Sequence, residues 1–481
     1  MTDVAHVATH SRTNRYMTRR PNAPRAIAIV GGGYSGLMVA VNIMREFNSA
    51  SVTIHLIEQR VGLGRGLAYS IWDDSMLLNV PAGNMSAYPD QPTDFLEYCR
   101  GLDPSLNAGS FVSRRIYGDY LQMVCALESS RSSVKLDRIH SEAIAIRPKE
   151  NTPGFQINLA DETTLLVEDV VLAVGYQGFQ PLASVGSSLA VSTCIQNPWD
   201  FRAMDAVLPG QTVAIIGTGH TAIDALFRLS GLDEDRKVFM LSRHGLLPKS
   251  HRPVSHAPTP GDFPAYLAGV SSTARACMRA IRQEVKRREQ LGEDWRDVLN
   301  EMRPHTKKIW LQWPAAERKR FVHSIRPWWD IHRHRLAPSA AARLKSKIVS
   351  GNTKVLAGRI VKIDQTDTGL HVTYRARTSG EVKTLAVDKV VNCTGPDYDI
   401  DRLESRLMKQ LRTEGLIVAD PLRLGLQTDE DYNVMDRYGK ATAGLRYVGP
   451  MLRARYWEAI AVPELRVHAK QIAIEMFKRT A

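Results

Sequence analysis

The chain has 481 residues, 44% of them hydrophobic and 23% charged, with a net charge of +13. That length asks for two or three domains, and the apolar fraction is ample for globular cores, which excludes a disordered or fibrous chain. The basic excess accompanies no nucleic-acid-binding signature, so it reads as solvated surface plus a few anion sites, and no nucleic-acid partner is expected. No run of about 18 apolar residues occurs, so no membrane partner is expected. The five cysteines, Cys99, Cys125, Cys194, Cys277 and Cys393, are scattered and form no CxxC, which fits a reducing, cytoplasmic setting without disulfides or metal. Residues 1–25 are polar and rich in Arg and Thr, without an apolar core, and read as a mobile tail rather than a secretory signal.

Residues 26–30 form a short apolar run that meets Gly31, Gly33 and Gly36 in GxGxxG spacing, and an apolar helical pattern resumes at Leu37. Strand, glycine turn and helix in that order are the context a dinucleotide fingerprint needs. Gly31 would make the tight turn, Gly33 would admit a pyrophosphate, and Gly36 would let the helix pack on the strand. A second strand at 51–57 ends in Glu58, about 20 residues on, where a ribose hydroxyl is expected.

Two loops rich in Gly, Pro and Asn follow at 62–69 and 77–90. They lack helical or strand period and are expected to wrap a flavin ring, with Asn79 and Ser86 offering hydrogen bonds. A helix opens within 111–121; Arg114 or Arg115 would meet a phosphate there, or mark a solvated helix start. Residues 141–147, 155–159 and 164–167 read as an antiparallel meander, and an apolar strand at 170–175 closes it.

The pattern then starts again. A strand at 212–216 runs into Gly217, Gly219, Thr221 and Ala222, and the next strand, 237–241, ends in Arg243. An arginine in the place of the acid suits a 2′-phosphate, so NADPH is expected over NADH. A second meander covers 355–363, 371–375 and 383–387, and a strand at 389–392 runs toward Gly395. Between them lies a helical insertion, about 262–348, with a Trp/Arg/His cluster at 324–335. A last strand at 445–449 and a helix from about Pro463 would return to the first domain, the helix start lying against the flavin. The expected fold is α/β, with two Rossmann-like dinucleotide-binding domains, each carrying an antiparallel meander. The first, for FAD, spans 26–195 and 396–481; the second, for NADPH, spans 196–395.

Glu-ended and Arg-ended dinucleotide folds in one chain resemble the two-domain flavoproteins that move hydride from NADPH to FAD. The motifs GLAYS, LNVPAGNMSAYPD, GTGHTAID, SRHGLLPKSHRP, RPWWDIHRHR and YVGPMLRARYWEAIAVPELR carry a closer resemblance to FAD/NAD(P)-binding, monooxygenase-like flavoproteins. Within that group the chain is similar to amino-acid N-oxygenases, including nitrosuccinate-forming aspartate N-monooxygenases. The resemblance implies that Gly31, Gly33, Gly36, Glu58, Asn79, Met85, Ser86 and Trp457 contact FAD, and that Gly217, Gly219, Thr221 and Arg243 contact NADPH. The CxxxxC of disulfide reductases and the FxGxxxHxxx(W/P) signature of Baeyer–Villiger enzymes are both missing.

The expected activity is therefore a monooxygenase in which NADPH reduces FAD, O2 forms a C4a-hydroperoxide, and that oxygen reaches the amine nitrogen of a small, acidic amino acid such as aspartate. His332 or His334 would take the amine's proton, Arg326, Arg333 or Arg335 would clamp a carboxylate, and Asn79 would serve beside the flavin. Two alternatives stay open. The aromatic and cationic cluster could be a packed cap between domains. The chain could also be an NADPH:acceptor reductase that passes electrons to a partner protein or small acceptor.

Overall fold

The computed structural model describes residues 24–48, 51–70, 73–182, 193–253 and 261–478. The expected tail lies outside them except for Pro24 and Arg25, and Arg25 is no tail residue. It opens the first strand, Arg25–Val30, and its guanidinium pairs with Asp169 at 2.5 Å.

Six strands form the first sheet, in the order Asn433–Met435, Ala441–Tyr447, Asp169–Leu172, Arg25–Val30, Val52–Ile57, Lys135–Ile139. All neighbours run parallel except the outermost pair, Asn433–Met435 with Ala441–Tyr447. Central strands of such a sheet are covered on both faces, which is why 26–30 is continuously apolar, with Ile27, Ala28 and Ile29 fully buried. The helix Tyr34–Glu46 covers one face and packs along the terminal helix Val462–Lys478, where Phe47 stacks on Phe477 at 3.8 Å. The C-terminal stretch thus returns to the first sheet. The strand Lys135–Ile139 was not anticipated, because an edge strand reading KLDRI lacks the apolar run of its neighbours.

Seven strands form the second sheet, in the order Val382–Val387, Gly369–Ala376, Thr353–Thr366, Val238–Ser242, Val213–Ile216, Lys389–Asn392, Cys194–Ile195. The long strand Thr353–Thr366 does two jobs. Its first part pairs in parallel with Val238–Ser242, and from Gly358 onward it pairs antiparallel with Gly369–Ala376. The second meander is therefore continuous with the parallel sheet, whereas the first stands apart as three strands, Ala143–Pro148, Phe155–Leu159 and Thr164–Val167. The architecture is mixed α/β with two Rossmann-like units.

The two glycine turns are built alike. Gly31 has φ +107° and a Cβ there would lie 2.3 Å from the Ala173 carbonyl oxygen; Gly217 has φ +132° and its Cβ would lie 2.2 Å from that of Cys393. Each strand that returns beside the first one fills the space a side chain would need.

The inserted helices are Ala274–Glu289, Trp295–Met302, Thr306–Gln312, Ala315–Arg320 and Arg326–Arg333. They bury Leu299, Met302, Trp310, Trp313 and Phe321 against Leu424, Ala454 and Trp457 of the C-terminal stretch. The helix Pro338–Val349, expected within the insertion, is instead the crossover of the second unit, with Leu344 packed in one core with Val238 and Met240. Among the described residues the cysteines are free, no cluster could hold a metal, and no helix is long and apolar enough to cross a membrane.

Candidate active site

The helix Tyr34–Glu46 starts at Gly33 with no side-chain cap, unlike Arg114–Arg131, whose cap Ser113 accepts from the Ile116 N–H. Uncapped first-turn N–H groups are an anion site. They line a cavity of about 220 Å³ between the 31–35 turn, the strand end at Glu58 and Arg65 with the short helix Gly66–Tyr69, a helical turn in place of the loop expected at 62–69. A Cβ at Gly33 would come within 3.4 Å of the Gly66 Cα, so a side chain there would narrow the slot. Glu58 is held in place by N–H groups, Oε2 accepting from Gly32 at 2.8 Å and Oε1 from Arg60 at 2.9 Å. An open helix end, a slot lined by glycine and an oriented carboxylate fit the pyrophosphate and ribose of FAD.

The second unit repeats this. The helix His220–Leu232 starts at Gly219 without a side-chain cap. Gly217, Gly219, Thr221 and Arg243 line a cavity of about 670 Å³. Arg243 is exposed and makes no ion pair among the described residues, which leaves its guanidinium open to a 2′-phosphate. Arg326 also lies here, 3.9 Å from Asp330, in a lining that it shares with His334 but not with Arg333 or Arg335.

The two cavities meet in a third, of about 430 Å³, which shares Tyr69, Tyr176 and Val462 with the first and His220, Thr221 and Gly395 with the second. Of the expected site residues, Asn79, Met85, Arg333, His334 and Arg335 line it, together with Arg303. The arginines differ in what they meet. Arg333 pairs with buried Glu458 at 2.8 Å, Arg303 with Glu464 at 2.9 Å, and Arg114 with Asp224 at 2.8 Å. Arg115 sits on Asp74, so neither arginine of that helix start is free for a phosphate.

Arg335 is the exception. It is 5% exposed, donates from Nη2 to Asn300 Oδ1 at 3.0 Å and from Nε to the His332 carbonyl at 2.8 Å, and lies over the Trp295 ring. Among the described residues no carboxylate lies at ion-pair distance from it, and Asp294 acts on it only through space. Burial first, then Arg333 and Arg296, push its guanidinium down to about 9. A buried cation without an anion is costly unless a ligand supplies one.

The imidazoles at the junction are neutral. Burial pushes His251 down to about 4, with its Nε2 3.1 Å from the Asn79 carbonyl oxygen, and burial lowers His220 and His334 as well. His332 faces elsewhere, edge-on to Trp295 at 5.1 Å in a cavity of the insertion.

Two expected cofactor contacts need correction. The Ser86 hydroxyl is fully buried and ties its own loop, donating to the Gln91 carbonyl at 2.6 Å and accepting from the Tyr88 N–H at 3.1 Å. Trp457 is buried under the Arg453 guanidinium at 3.9 Å and against Trp310 at 4.9 Å, in the core of the insertion. The turn ahead of the terminal helix sends Ile460, Ala461 and Val462 to the junction instead. Sequence reasoning assigned no role to His251, Asn300, Trp199 or Tyr398, which also line the junction. Only His251 carried a signal, its place in SRHGLLPKSHRP.

Residues 28–177 match the model of the FAD-NAD(P)-binding family, so the first unit is an FAD/NAD(P)-binding domain. No curated protein sequence matches the chain. Among solved structures, the reduced form of ornithine hydroxylase from Pseudomonas aeruginosa is 15% identical and covers 95% of this chain and 100% of its own, with a TM-score of 0.64. L-lysine 6-monooxygenase from Pseudomonas syringae is 18% identical with the same coverage, 95% and 100%, and a TM-score of 0.64. The ornithine N-hydroxylase of Kutzneria sp. 744, solved with reduced FAD, NADP+ and L-ornithine, is 16% identical over 95% and 100%, with a TM-score of 0.61. The chain has the fold of these two-dinucleotide-domain flavoproteins.

Proposed function

We propose that the chain is an FAD-dependent, NADPH-consuming monooxygenase that oxygenates the amine nitrogen of a small amino acid, an acidic one such as aspartate. One observation carries this reading: a buried arginine without an anionic partner, Arg335, lines the cavity where the two nucleotide cavities join. The structural neighbours named for ornithine and lysine oxygenation support the amine as the reacting group.

Gly31, Gly33 and Glu58 would hold FAD, with Asn79 and Met85 beside its ring and Gly36 packed under the turn against the Gly31 carbonyl; Gly217, Gly219, Thr221 and Arg243 would hold NADPH. FAD reduced by NADPH supplies the oxygen-activating chemistry. The chain's own residues prepare the substrate. Arg335 takes a carboxylate in fork geometry, which fixes the amine relative to Asn79. An ammonium is not nucleophilic, so its proton must leave. Burial and the arginines both disfavour a second cation in the cavity, and the neutral His251 and His334 rings add no positive charge. His334 lines the cavity, and burial holds its ring well below the usual imidazole range. Trp199, Leu299 and Tyr398 wall the cavity against bulk water.

The test is a product balance. The FAD-loaded chain is given NADPH, air and a panel of amino acids, and NADPH consumed, hydroxylamine formed and peroxide released are counted. Aspartate or a close analogue is expected to raise NADPH consumption with matching N–O product. Electrons that end in peroxide or an added acceptor, whatever amine is present, would instead establish a reductase.

A further inference from the structure

The helical insertion holds a cavity of about 640 Å³ that neither nucleotide nor the proposed amino acid uses. That volume is in the range of small-molecule sites. Six of the chain's eight tryptophans line it: Trp295, Trp310, Trp313, Trp328, Trp329 and Trp457. The helix Ala274–Glu289 closes one side with Cys277, Ile281 and Val285. Indole faces opposed by flat aliphatic walls favour a planar apolar body over a flexible chain.

The polar groups say what that body carries. Lys249 and Arg282 line the cavity, are exposed, and meet no carboxylate among the described residues. Arg296 is neutralised by Asp294 at 2.9 Å, and Glu289 is the one carboxylate in the lining. Two open cations ask for an anionic oxygen, and the positive excess argues against a cationic guest in the indole cage.

We infer that this cavity is a second small-molecule site, for a ligand with a flat aromatic body and one carboxylate. It is separate from the junction. The helix Trp295–Met302 forms the wall between them, with Trp295 and Met302 on the aromatic side, Asn300 on the junction side and Leu299 touching both. The inference does not depend on the reaction proposed above.

The test titrates the FAD-loaded chain with 2-naphthoate and follows tryptophan fluorescence, which six lining indoles should make responsive. 2-Naphthamide and octanoate serve as controls for the charge and the flat ring. Saturable quenching by naphthoate is expected at micromolar concentration, at least about tenfold tighter than by either control. Lys249→Ala combined with Arg282→Ala, both exposed and outside the catalytic cavity, should weaken naphthoate about tenfold or more and leave the amide unchanged. Any of three results would overturn the inference: no saturation by about 1 mM, equal affinity for acid and amide, or unchanged affinity in the double variant.

Discussion

Arg335 gives its Nη2 hydrogen to Asn300 Oδ1 at 3.0 Å, and the two residues sit 35 positions apart, Asn300 on the helix Trp295–Met302 and Arg335 in the turn that follows the helix Arg326–Arg333. A neutral amide orients the guanidinium without cancelling its charge. The fork is thus fixed and still able to bind an anion. Removing that charge should separate function from stability. Arg335→Met is expected to raise KM for the amino acid by about 10- to 100-fold, the worth of charged hydrogen bonds of about 1.5–3 kcal/mol. Its Tm should be unchanged or higher, because an unpaired buried cation is gone. A fall in Tm with KM unchanged would make Arg335 a packing residue only.

Arg243 should set the choice of nicotinamide cofactor. Arg243→Gln is expected to raise KM for NADPH by about tenfold or more and leave NADH nearly unaffected, since only the 2′-phosphate would miss the guanidinium. Steady-state kinetics with both cofactors measures it.

The two glycines of the second turn should fail in different ways. Gly217→Ala places a methyl 2.2 Å from the Cys393 carbonyl oxygen at positive φ, so misfolding or a large loss of Tm is expected. Gly219→Ala meets nothing within 4 Å at an ordinary φ of −82°, so the fold should survive. Its methyl enters the space a pyrophosphate needs, and KM for NADPH should rise with Tm unchanged.

Acid should destabilise the protein through its buried histidines. His468 faces the Tyr432 hydroxyl at 3.0 Å and stacks on Tyr456 at 4.7 Å; burial pushes it down to about 4, and His251 likewise. An unfolded histidine takes its proton near 6.5, so between about 6.5 and 4 the unfolded chain binds more protons and stability falls as pH falls. Tm measured across that window should drop, and His468→Gln should flatten the drop. A parallel pH profile in the variant would remove His468 from the account.

Legibility followed geometry imposed by ligands and chain turns. The turns at Gly31 and Gly217 and the strand ends before Glu58 and Arg243 were readable because a strand–turn–helix unit of this kind demands fixed spacings. The strand Lys135–Ile139 was not, since an edge strand needs no apolar run. The junction assembles Asn79, His251, Asn300 and Arg335 from four distant stretches, and no local period announces such a meeting. Trp457 and Ser86 were misplaced for a related reason. Each sits in a motif that touches the cofactor cavities through other residues, and a motif does not say which of its side chains turns inward.

The most direct test of the central claim is rapid mixing. The FAD-loaded chain is reduced by NADPH without oxygen, then mixed with oxygenated buffer, and the flavin spectrum is followed. A long-lived transient is expected, distinct from both oxidised and reduced flavin, whose lifetime shortens when aspartate or a close analogue is added and N–O product appears. Immediate return to oxidised flavin with stoichiometric peroxide, unaffected by every amine tried, would contradict it.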